Sequence, residues 1–181
     1  MYNIWRPPWK GSDLVFAIGD SVVYGYEGVF VISDYTTSPI DKEDKRVFYV
    51  LRPMFGSGNS MIVTPSEGGA TPIRAVISKE QAEAVIDRAC AVGEVEVSRE
   101  RNRREVYRET MSRCCPESCI SIIKTVRRRR KEFFAQKRRL SETDTDFETR
   151  ARHCLFSELA YALGVTFAEA EQVVLAKLQE A

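Results

Sequence analysis

Apolar residues recur along this chain with two different periods, and the change falls near Ser78. From Leu14 to about Thr64 they come in short β-branched and aromatic runs: Val15 to Ile18, Ser21 to Tyr24, Val29 to Ile32, Val47 to Leu51 and Met61 to Val63. Gly19 with Asp20, the Gly25 to Gly28 connection and the Gly56 to Asn59 turn separate them, while Pro39 and its charged neighbours mark 36–45 as a loop. Runs of this length with glycine turns predict strands of a small barrel or sandwich rather than a βαβ sheet. Residues 1–12 read as a tail, since Pro7 and Pro8 block regular structure and Gly11 and Ser12 loosen the chain. Trp5 and Trp9 within it are expected at a surface or contact.

After Ser78 the spacing becomes three and four. Ser78 with Gln81 fits a capping box, and Ala82, Val85, Ile86 and Ala89 follow, with Gly93 as a stop. Pro116 suits the first turn of another helix, striped by Ile120, Ile123, Val126 and then Phe133 or Phe134. Ser141 with Asp144 is a second cap, ahead of Phe147, Ala151, Leu155 and Leu159. Thr166 with Glu169 is a third, ahead of Ala170, Val173, Val174 and Leu178, and Gly164 closes the preceding helix. The fold class is therefore α+β in two domains: 13–75 a small β-barrel or sandwich, 76–181 an all-α helical bundle.

Composition is ordinary for a globular chain, with 44% hydrophobic and 29% charged residues. Charge changes the picture. The formal net charge is +1, yet residues 99–139 hold 15 Lys and Arg against 5 Asp and Glu, a local +10. The remainder holds 12 basic and 21 acidic residues, a balance of −9. Such a block commonly answers an anionic polymer; the bland reading is a solvated helix face. Five cysteines, an odd number, suit a reducing cytoplasm. Cys114, Cys115 and Cys119, with distant His153 and Cys154, lack a zinc spacing and read as buried thiols, so no metal is expected. One histidine and no nucleotide fingerprint argue against catalysis, and no cofactor is expected. No secretory leader or membrane span is read, so a cytoplasmic protein is expected.

Several motifs resemble the CarD/CdnL family of bacterial transcription regulators. Phe16, Ala17, Ile18, Gly19, Asp20, then Val22, Val23, Tyr24 and Gly28, Val29 match its opening signature. Phe48 to Leu51 and Ile73 to Glu80 match its third strand and domain junction. Leu140, Ser141, Ala151, Arg152, Leu155 and Glu158 to Ala160 match its helical half. The resemblance spans about residues 14–163.

It implies that 13–75 is an SH3/Tudor-like β-barrel, shared with the transcription-repair coupling factor, that binds the RNA polymerase β subunit, and that the protein is nucleoid-associated. It also implies a helical domain on promoter DNA at the upstream edge of the bubble, where a tryptophan wedges into the minor groove. This chain departs from the pattern: Gly25, Tyr26 and Glu27 replace Pro-x-His, and Glu100 falls near the wedge position. The polymerase-contacting arginines fall near Ser38 and Ile62.

The expectations that follow are specific. Val29, Phe30, Val31, Ile32 and Ser33 would pair as an exposed edge strand with the polymerase; the alternative is an interior strand, apolar on both faces. Arg99, Arg101, Arg103, Arg104 and Arg108 form one DNA patch, and Arg127, Arg128, Arg130 and Lys131 another, although successive cations on a helix point in all directions. Tyr107 is the nearest aromatic for groove insertion, against packing on Met111. The leading function is a non-enzymatic regulator of open promoter complexes. The alternative is a polymerase-binding adaptor without productive DNA contact.

Overall fold

The computed structural model describes residues 15–38, 46–55 and 60–178. The tail over 1–12 with Trp5 and Trp9, most of the 36–45 loop and the 56–59 turn lie outside the described residues.

Five strands, β1 (Ser21–Tyr24), β2 (Val29–Thr36), β3 (Phe48–Pro53), β4 (Ile62–Pro65) and β5 (Ile73–Ala75), form an antiparallel sheet in the order β4-β3-β2-β1-β5. Their register pairs Val22 with Phe30 and Ala75, Val31 with Arg52, and Leu51 with Ile62. Residues alternate sides along a strand, so the double Val22-Val23 feeds two cores. Val22 packs with Phe30, Ile32, Tyr49 and Leu51 on one face. Val23 and Val29 face the other way and join the core of the helices. A strand apolar on both faces is thus buried on both.

Val15 to Ile18, read as a strand, is a turn. Asp20 explains it: its carboxylate accepts from the Ala17 N–H at 2.8 Å and its own N–H donates to the Ala17 carbonyl at 3.1 Å. Local side-chain bonds of this kind compete with a ladder, and Gly19 takes the positive φ of 95° that the bend requires.

The five helices of the described residues are α1 (Lys79–Arg88), α2 (Arg103–Ser112), α3 (Pro116–Ala135), α4 (Glu142–Leu163) and α5 (Phe167–Lys177). The Ser78/Gln81 and Thr166/Glu169 capping boxes form, Pro116 opens α3 and Gly164 closes α4 in the left-handed region. Val173, placed on the core stripe of α5, is instead 47% exposed. No single helix among the described residues is long and apolar enough to cross a membrane.

Sheet and helices meet at three polar points. Arg74 on β5 makes a two-pronged pair with Glu158 of α4, 2.7 Å from Nη2 to Oε2, and donates through Nε to the Cys114 carbonyl at 2.6 Å. The Ile77 N–H donates to the same Glu158. Cys114 donates its thiol to the Gly25 carbonyl at 2.7 Å. The β1–β2 turn sits so close to α4 that a Cβ on Gly28 would lie 2.7 Å from Ser157 Oγ.

Candidate nucleic-acid interface

Asp144 organises the basic segment. Ser141 caps α4, accepting from the Asp144 N–H at 3.1 Å, and this sets the Asp144 side chain at the helix start, facing α2 and α3. The carboxylate is fully buried. It accepts from Arg103 Nη1 at 3.1 Å, Tyr107 Oη at 3.0 Å, Arg129 Nε at 3.4 Å and Ser141 Oγ at 2.8 Å. Burial first, and the adjacent carboxylate second, push the Tyr107 phenol above its ordinary range. Tyr107 also sets its ring edge-on against Phe147, and is therefore core, closed to any groove.

Several expected DNA contacts are consumed inside the protein. Arg103 is buried between Asp144 and Glu100. Arg129 spans Glu100 with both terminal nitrogens, at 3.1 and 3.2 Å. Glu100 therefore ties the turn before α2 to α3, and a residue at that place has an internal partner rather than a free approach to a groove. Arg128 pairs with Glu94 and Glu132, which hold its proton more tightly than usual. Arg130 forks onto buried Glu148. Buried carboxylates need such partners, so Arg103 and Arg130 tie helices together through Asp144 and Glu148. Arg128 is held at the surface by Glu94 and by Glu132 of its own helix, so each of these three expected DNA contacts already has an acidic partner.

The Val29 to Ser33 edge is corrected as well. β2 is flanked by β1 and β3, so its backbone is bonded on both sides over Val29 to Ile32, while Ser33 falls in the bulge. The outer strands among the described residues are β4 and β5.

What remains of the basic segment faces outward in two places. Arg104, Arg108 and Arg150 line a cleft of about 320 Å³ with Tyr26, Phe147, Glu142 and Asp146. Arg108 has only a 3.5 Å contact with Glu105, and Arg150 lies over the Tyr26 ring. Arg99 and Arg101, on the turn before α2, are exposed and have no carboxylate partner among the described residues. At the other end of the segment, Arg127, Arg130, Lys131 and Phe134 line an open hollow along α3. Arg127 Nη1 is buried there without a hydrogen-bond partner.

Phe134, 83% exposed, is the functional candidate that the sequence reading missed as such. The signal was present: adjacent helical residues lie about 100° apart, so Phe133 and Phe134 cannot both face one core. Phe133 turns inward under the Arg129 and Arg138 guanidiniums, 5.1 and 4.7 Å from its ring.

Among the described residues no group of His, Cys, Asp or Glu is placed to hold a metal ion. Burial pushes the Cys114 thiol up, and a hydrogen bond with Cys154 together with burial does the same to Cys119.

No family model matches the chain, and no curated protein matches it.

Proposed function

We propose that this chain is a non-enzymatic transcription regulator that joins RNA polymerase to promoter DNA. The observation that carries the reading is the set of outward cations left once the internal pairs are subtracted: among the described residues Arg99, Arg101, Arg104, Arg127 and Lys131 have no acidic partner. A basic surface that survives this subtraction has a use for an anionic polymer. The strand order, with β1 between β2 and β5 and a bulge between Ile32 and Asp34 that bends β2, fits an SH3/Tudor-like barrel. In that barrel the edge offered to the polymerase β subunit is β4, where Val63 is 40% exposed.

The adaptor reading has one observation in its favour, the internal pairing of Arg103, Arg128 and Arg130. Salt titration of labelled duplex separates the two. A regulator loses about 0.9 log unit of affinity per phosphate contact for each tenfold rise in salt. Arg104→Ala and Arg127→Ala should each flatten that slope by about one contact. Binding that is absent, or indifferent to salt, leaves the adaptor. Val63→Lys should abolish capture of a β-subunit fragment, and undiminished capture removes β4 as the contact.

A further inference from the structure

Phe134 stands out as a large apolar side chain left exposed on a helix whose other phenylalanine, Phe133, turns inward. It sits on the last turns of α3, following Arg127 and Lys131 at four- and three-residue steps, so the three share one face. A phenyl ring left 83% in water costs free energy that burial elsewhere would recover. The hollow beside it is lined by Arg127, Arg130 and Lys131. Of these only Arg130 is neutralised, by Glu148. Just beyond, α3 ends with Lys137 in the left-handed region at φ 55°, and the Arg138 N–H donates to the Phe133 carbonyl at 2.8 Å. That closure fixes the last turn, so the ring is presented from a rigid helix end.

We propose that this face binds single-stranded nucleic acid, with Phe134 stacked on an unpaired base and Arg127 and Lys131 on the flanking phosphates. The inference rests on the DNA-binding reading above and adds to it the strandedness of the ligand. Charge selects the occupant. Arg127 and Lys131 have no carboxylate pair among the described residues, so a polyanion neutralises both together, and an aromatic face accepts any base. A paired duplex hides its base faces and offers this ring nothing comparable.

The test uses the full chain and labelled oligonucleotides of one sequence, as single strand and as duplex. Phe134→Ala is an exposed change and leaves the fold intact, which circular dichroism checks. It should weaken the single strand about tenfold or more and leave the duplex within about twofold, while Phe134→Trp keeps the single-strand affinity. Arg127→Ala should weaken both.

Equal losses on both substrates for Phe134→Ala overturn the stacking role. If Phe134→Ala changes nothing while binding stays salt-dependent, the inference fails and the DNA reading stands. If no oligonucleotide binds, both fail. Phe134-dependent binding to anionic phosphatidylserine vesicles without nucleic-acid binding makes the face a membrane contact and overturns the proposal.

Discussion

The two arginine-rich stretches, 99–108 and 127–131, carry five cations each, the first with two glutamates among them and the second with none, yet they split in the same way. Each turns one cation inward onto Asp144: Arg103 from α2 and Arg129 from α3. Each turns others outward. The outward members meet different surroundings. Around Arg104 and Arg108 the cleft contains Glu142 and Asp146, which temper the potential. Around Arg127 and Lys131 one side holds an exposed phenyl ring, and the other holds Glu94, already paired with Arg128. A count of positive charge in sequence therefore measures two quantities at once: internal pairing, which holds helices together, and free surface charge, which recruits a partner. Only the carboxylates on other elements divide one from the other.

Asp144→Ala should show the largest effect. It leaves a buried phenol without its acceptor and two buried guanidiniums with only exposed Glu100, and a broken buried pair typically costs about 3–5 kcal/mol. Urea unfolding measures it. A loss below about 1 kcal/mol would erase the distinction between inward and outward arginines.

Arg74→Ala comes next. Glu158 is 1% exposed, and this change strips its two-pronged partner at the seam between sheet and helices. Arg74 is itself partly exposed, which reduces the cost to about 2–3 kcal/mol. Hydrogen exchange should rise in β5 and β1 before α4. Uniform opening would show that the seam holds no more than any other contact.

Much of this arrangement was legible beforehand. Short-range rules placed the helix starts at Ser78, Pro116, Ser141 and Thr166, because each cap is written within four residues. The change from strands to helices near residue 76 was legible for the same reason. The interior position of β2 was not, since strand order depends on pairings between distant segments; the doubly apolar Val29 to Ile32 run was its only trace. Asp144 read as a cap, and it is one. Its larger part depends on Arg103 and Arg129, which lie 41 and 15 residues away. Glu100, Glu148 and Glu158 likewise gained their partners only through folding, and with them the fate of each arginine.

Tyr107→Phe sharpens the account of the inward cluster through pH. At neutral pH, removing its hydrogen bond to Asp144 should cost about 1–2 kcal/mol. Burial and the nearby carboxylate raise the phenol above its ordinary 10.0, so the folded chain keeps a proton that the unfolded chain releases. The associated stability is whole below pH 10 and is lost as pH rises further. The variant lacks that loss, so its deficit relative to the parent should shrink above pH 10. Cys114 and Cys119 are also raised and titrate in both proteins, which the difference cancels. A deficit constant to pH 11 would mean that the phenol is not held neutral by its site.

Lys137→Gly should have the smallest effect and the opposite sign. Lys137 ends α3 with φ at 55°, a conformation that costs a residue with a Cβ about 1–2 kcal/mol. Glycine removes that strain but adds freedom to the unfolded chain, so the net gain should be about 0.5–1 kcal/mol. The same change deletes one cation near Phe134. Lys137→Asn keeps the tolerance for this conformation and also removes the charge, while Lys137→Arg keeps both strain and charge. If the outward face binds phosphate, Gly and Asn should flatten the salt slope alike, by at most one contact, whereas Arg leaves it unchanged. Stability should rank Gly first and Arg level with the parent. A slope that follows stability instead of charge would assign the effect to the helix end, and would take Lys137 out of the free outward charge that sets this stretch apart from 99–108.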